Sequence, residues 1–182
     1  MNKENTEYLF KRYPEFFKDR DDMQKSLMGF GFECGDGWFN LISKLCHDIE
    51  KYFLSEYDGM GYDGEIYHHE VPKHFNVQQV KEKFGGLRFY VSSAPEKVFD
   101  MIHKAESDSY FICEHCGDDI RKRVYNDGLY HSFYRDELGW ILTLCDSCLC
   151  KHLKERKMVC NKDYVSDWQR EHNAPFVSGD DV

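Results

Sequence analysis

The 182-residue chain carries 24 Lys and Arg against 33 Asp and Glu, a net charge of −9, and no third of it is basic. That balance lacks the electrostatic footprint of a nucleic-acid binder and disfavours, without forbidding, such a partner. With 14 Phe, 12 Tyr and 3 Trp the composition excludes a disordered chain, and this length buries roughly 70% of the unfolded surface without help from metal or disulfides.

The first residues, MNKENTEYLFKRYPEFF, hold no apolar core of signal-peptide length, and no stretch approaches a membrane span. The expected address is the cytoplasm, where thiols stay reduced. Eight cysteines then read as metal ligands, catalytic thiols or small core residues rather than as a disulfide framework.

Along the chain, TEYLFKRY predicts a short helix capped by Thr6 and ending before Pro14. The glycine-rich GFGFECGDG (29–37) punctuates the sequence. Beyond it Trp38, Leu41, Ile42, Leu45, Ile49, Tyr52 and Phe53 share one helical face, predicting a helix over 37–55 with Asp36 as its N-cap. YDGMGYDGE (57–65) reads as the loop that stops it. In FNVQQVKEKFGGLRFYV (75–91) apolar residues alternate, slip phase at Val80 and alternate again, which predicts a hairpin turning near Gly85-Gly86 with a bulge before it. A second helix is expected over 94–108, with Ser93 and Glu96 as a capping box and Val98, Met101, Ile102 and Ala105 as its buried stripe.

DSYFICEHCGDD (108–119) begins a different module. Cys113 and Cys116 form a C-x-x-C pair, and LCDSC carries a second, Cys145 and Cys148, beyond a 28-residue spacer. Two such pairs read as a tetrahedral four-cysteine site for one structural zinc ion, because two intervening residues let a tight turn aim both sulfurs at one metal. Gly117 supplies the positive φ that a knuckle turn needs. The second pair is expected at a helix N-terminus, where the helix dipole favours thiolate. Strands are expected between the pairs, with NDG (126–128) as a turn, so the arrangement resembles a treble-clef zinc finger. Four thiolates leave no open position for a catalytic metal, and a redox role for one pair would leave the other without a purpose. Cys34, Cys46, Cys150 and Cys160 read as small apolar residues or spare thiols, with Cys150 a lesser candidate ligand.

The fold class is therefore α+β: N-terminal helices, a central hairpin or small antiparallel sheet, and a C-terminal treble-clef-like zinc module. The division is an α+β domain over 1–110, the four-cysteine module over 111–160 and a tail over 161–182.

Candidates for catalysis are thinner. His68, His69, Glu70 and His74 gather in YHHEVPKH but match no H-E-x-x-H spacing and read as a solvated cluster. An enzyme with a pocket near residues 57–74 is the second alternative function. His131, in LYHSFYRDELGWILTLCDSC, is faintly similar to the general base of HNH-type treble-clef nucleases, which makes a nucleic-acid-binding or nuclease protein the first alternative. It lacks the partner histidine or aspartate, and the acidic balance argues against it. No phosphate-binding glycine loop and no G-x-S-x-G elbow is present.

The block QVKEKFGGLRFYV (79–91), preceded by LMGFGFECGDGWFNLISKLC (27–46) and followed by the cysteine pairs, resembles a group of short proteins encoded by bacteriophages and prophages. The likeness runs from about residue 8 to 150 in the same order. It implies a phage origin, the cytoplasm of a bacterial host and the zinc module, and it supplies no catalytic residue. Phage accessory proteins of this build bind and redirect a host protein or block a defence protein, and that is the expected partner. Lys81, Lys83 and Arg88 beside Phe84, Phe89 and Tyr90 form the candidate interaction patch, the alternative being that the aromatics are core and the cations merely solvated.

Overall fold

Helical and strand periodicity produce four helices and three two-stranded antiparallel sheets in the computed structural model, which describes residues 1–60, 64–119, 121, 132–135 and 141–155. The chain is thus α+β. Helix α1 runs Lys3–Arg12 and starts earlier than expected. Its N-cap is Asn2, whose side chain accepts from the Asn5 amide, so Thr6 lies inside the helix. The carboxylate of Asp36 accepts from the Asn2 amide and from Asn5 Nδ2, which ties the start of α1 to the loop before the next helix.

Asp36 therefore does not cap that helix. Asp36–Trp38 form a 3-10 turn that leads into α2, Phe39–Ser55. Of the predicted stripe Trp38, Ile42, Leu45, Ile49 and Phe53 are buried, Leu41 and Tyr52 are partly buried, and Cys46 beside the stripe is buried as well. Within the expected loop Asp58–Met60 is a short strand, β1, paired antiparallel with β2 (Ile66–His68); Asp58 pairs with His68 and Met60 with Ile66.

The central hairpin is β3 (Val77–Lys83) and β4 (Gly86–Val91), with its register shift between Val77 and Gln79 where the hydrophobic phase slips. Phe84 and Gly85 form a two-residue turn, and both have positive φ, 56° and 78°, the backbone of a type I′ hairpin. Val77, Val80, Leu87 and Phe89 point into the core. Neither edge of the hairpin stays open. Outside β3, Leu27 N donates to Gln78 O, Glu33 N to Val80 O and Glu82 N to Glu33 O. Outside β4, Leu87 N donates to Ser109 Oγ and Phe89 N to Glu106 Oε1. Both acceptors come from α3, Glu96–Ser109, which buries Val98, Ile102 and Ala105 against the sheet and α2. Pro95 holds its N-cap position and no side-chain cap bond is made, so the predicted Ser93–Glu96 capping box does not form.

Aromatic rings knit these elements. Phe75 makes edge contacts with both Phe16 and Phe53 at 5.0 Å, and Phe17 and Phe32 meet at 5.5 Å. Beyond α3, β5 (Ser132–Arg135) pairs with β6 (Ile141–Leu144) ahead of α4, Asp146–Glu155. The predicted NDG turn, His131, Cys160 and the 161–182 tail lie outside the described residues.

Candidate metal centre

Cys113–Gly117 is a tight turn. Gly117 N donates to Cys113 O at 2.8 Å, Cys113 N donates to Asp118 O at 2.8 Å, and Gly117 has φ 76°, the left-handed conformation expected of it. Cys145 sits just before α4, and its carbonyl accepts from Leu149 N at 2.8 Å; Cys148 lies in the first helical turn. The knuckle and the helix start bring Cys113, Cys116, Cys145 and Cys148 together, with all four sulfurs within 4.8 Å of one another. Cys116 Sγ and Cys145 Sγ are 3.6 Å apart. A tetrahedron with metal–sulfur arms of about 2.3 Å places its sulfurs about 3.8 Å apart, so the donor set fits a metal ion such as zinc.

The electrostatics favour a cation here. Burial pushes the Cys113 thiol up to about 11, against backbone hydrogen bonds at Cys145, Cys116 and His115 that pull it down. Cys148 is pushed up by burial and then by the other three thiols. Four thiolates crowded within 4.8 Å repel one another, and a dication reverses that cost by binding the deprotonated form. Leu144, Leu149 and Leu153 pack with Cys113 and Cys145 as a small apolar shell. Cys150, on the same helix, is not a member of the four-sulfur group and is disulfide-bonded, not the spare thiol expected of it, while Cys34 and Cys46 are buried in the main core. Burial raises the Cys34 thiol to about 12 and Cys46 upward as well, as expected of unreactive core thiols.

Residues that the spacing rules did not single out join this centre to the rest of the molecule. Gly37 N donates to Glu114 O at 2.7 Å, Gly35 N to Glu114 Oε1 at 2.9 Å, and Trp38 Nε1 to Ile112 O at 2.9 Å. A Cβ on Gly37 would stand 2.1 Å from Cys113 O, and one on Gly35 would stand 2.3 Å from Glu114 O. The glycine-rich loop is therefore the socket into which the knuckle seats. On the other side, Glu114 N donates to Thr143 O, and Thr143 Oγ1 donates to Gly85 O at 2.6 Å. Arg121 bonds Asp119 and Asp108 and covers the Phe111 ring at 5.1 Å, fastening the knuckle to α3. Bonds thus cross residue 110 on several sides. The density of glycine over 29–37 was the available signal, since it marks close backbone approach as well as a turn.

The candidate patch divides. Phe89 is only 2% exposed and belongs to the core, because the pleat of β4 turns it inward with Leu87. Lys81, Lys83, Phe84 and Tyr90 remain on the outer side, and Arg88 is half-buried, donating to Leu87 O and Tyr110 Oη. The histidines of 68–74 do not assemble a metal group with the acids around them among the described residues. His68 Nδ1 pairs with Asp58 Oδ1 at 2.7 Å across β1 and β2, and the His74 ring meets Tyr67 edge-on at 5.7 Å.

No helix among the described residues is long and apolar enough to cross a membrane. Comparison of the chain with family models, with curated proteins and with solved structures finds no match.

Proposed function

We propose that this is a zinc-stabilised accessory protein of phage origin that acts without catalysis, by binding a host or defence protein in the bacterial cytoplasm. The observation that carries the reading furthest is the closed four-cysteine group, whose knuckle is bonded into the core on both sides. All four positions of a tetrahedral ion would be filled by protein sulfur, the donor set of a structural zinc site rather than a catalytic one. Knuckle, β5–β6 hairpin and a helix whose start brings the second pair follow in the order of a treble clef. Zinc would supply the positive charge that holds four thiolates together, and the chain's own residues would supply the binding surface. The phage origin and the bacterial setting rest on the resemblance carried by residues 79–91.

The test is metal analysis of the purified protein followed by capture from a bacterial lysate. About one zinc per chain and a specific protein that also binds when purified would support the reading. Recovery of no specific protein would count against it. A salt-sensitive affinity for DNA together with a nuclease activity lost in His131→Ala would replace it with the nuclease alternative.

A further inference from the structure

The outward side of the central hairpin concentrates positive charge that no ion pair neutralises among the described residues; Arg88 alone is partly engaged by the fold, through Leu87 O and Tyr110 Oη. Lys81 stands directly opposite Arg88, and Lys83 follows two residues along β3. Like charges directly opposed on a sheet destabilise it. Lys81, Lys83 and Arg88 have no carboxylate at ion-pair distance among the described residues, although the chain carries 33 acids. Glu33, the nearby acid, accepts instead from Gln79 Nε2 at 2.8 Å.

Rings lie among these cations. Lys81 Nζ sits 5.7 Å from the Tyr90 ring centre and Lys83 Nζ 5.3 Å from that of Phe84. Phe84 is 67% exposed and Tyr90 41% exposed. Phe84 also occupies the first left-handed position of the turn, where glycine, asparagine or aspartate is at ease and a bulky ring is strained. The turn itself does not call for a phenylalanine there. The turn is held from beneath: Glu82 Oε1 accepts from Gly85 N at 2.7 Å, Thr143 donates to Gly85 O, and the Tyr110 ring fills the space beside Gly86. The ring is therefore presented in a fixed place, which lowers the ordering cost of binding.

We propose that this face docks on a protein that offers an apolar pocket for the Phe84 ring, rimmed by carboxylates that meet Lys81, Lys83 and Arg88. The proposal deepens the binding function above and rests on it. Phosphates would also complement three cations. The net charge of −9 repels a nucleic acid, however, and the turn presents one strongly exposed ring rather than a row of stacking platforms. A protein is the occupant that these observations favour.

Two substitutions separate docking from folding. Phe84→Gly relieves the left-handed strain and is expected to fold at least as well as the wild type; Lys81→Glu replaces an opposed like-charge pair with Glu–Arg but stands beside Glu33, so its melting temperature is measured alongside to show that it keeps the fold. Wild type and each variant, immobilised side by side, are exposed to bacterial lysate, and the captured protein is purified and titrated. The expected result is one protein bound by the wild type, weakened about tenfold or more by each substitution and further by added salt. Equal capture by wild type and both variants overturns this surface while leaving the binding function standing. Capture of nothing by any of them overturns both. Binding of labelled single-stranded RNA or duplex DNA that Lys81→Glu abolishes overturns the protein partner in favour of nucleic acid.

Discussion

Thr143 Oγ1 donates to Gly85 O at 2.6 Å, a buried bond between residues 58 positions apart. It joins the strand that precedes Cys145 to the turn that carries Phe84. The same Thr143 accepts from the Glu114 amide through its carbonyl, so knuckle, strand and hairpin turn share one residue.

Replacing Thr143 with valine keeps the side-chain shape and leaves Gly85 O without its donor. The expected cost is about 1–3 kcal/mol, that of an unsatisfied buried carbonyl. Metal content should stay at the wild-type value, because no cysteine moves, and Thr143→Ser should recover most of the loss. Denaturant unfolding of the three proteins, with metal analysis, checks this.

Removal of the metal should loosen more than residues 113–148. The knuckle presents Glu114 to Gly35, Gly37 and Thr143, so chelation is expected to lower the melting temperature of the whole protein and alter the near-ultraviolet signal of Trp38. Cys145→Ser should reproduce the effect, since three thiolates bind zinc less tightly than four. A melting curve unchanged by chelator, on protein shown to contain zinc beforehand, would refute the structural role.

Gly37→Ala puts a methyl 2.1 Å from Cys113 O and 2.5 Å from Gly117 N, both backbone atoms that have no rotamer by which to yield. A loss of about 3 kcal/mol or more is expected. Gly64→Ala provides the contrast, with nothing within 4 Å of the new methyl and only its φ of 80° to strain. Its expected cost is about 1–2 kcal/mol. Equal losses at the two positions would show that the glycine socket does not seat the knuckle closely.

Acid should weaken the bond between the knuckle and α3. Burial, the largest single influence on Asp108, raises its carboxyl, but hydrogen bonds and charge from Arg121 and Lys104 together bring it below the ordinary value. A depressed carboxyl contributes stability above its unfolded value of about 3.9 and loses it as the pH falls through the folded value. The stability gap between wild type and Asp108→Asn should therefore be constant near neutrality and close as the pH drops below about 4. With Lys104 and Arg121 both well exposed, the gap should not exceed about 1 kcal/mol.

Much of the fold was legible because its signals are local. The stripe from Trp38 to Phe53 is a helical period, and the slip at Val80 is a bulge expressed as a change of phase. C-x-x-C spacing is a ligand geometry, and Gly117 a backbone angle. Cap assignments failed at Thr6, Asp36 and Ser93 for a different reason. Each sits near a helix start where neighbouring residues compete: Asn2 caps α1 in place of Thr6, Pro95 holds the N-cap of α3, and Asp36 is drawn off by Asn2 and Asn5, a contact across more than thirty residues. Phe89 belongs with Leu87 by its phase in the strand, and grouping it with Arg88 and Tyr90 by proximity in sequence ignores that the pleat sends alternate residues to opposite faces.

The amino-acid order alone determined the helical faces, the hairpin turn near Gly85 and the two C-x-x-C pairs, since each depends on residues a few places apart. Only the tertiary structure decided that the glycine-rich loop is the seat of the knuckle, that Thr143 reaches Gly85, and that Phe84 stands outside while Phe89 lies within. Those outcomes depend on backbone groups and side chains brought together from distant parts of the chain, where close approach and burial, not sequence spacing, select the partner.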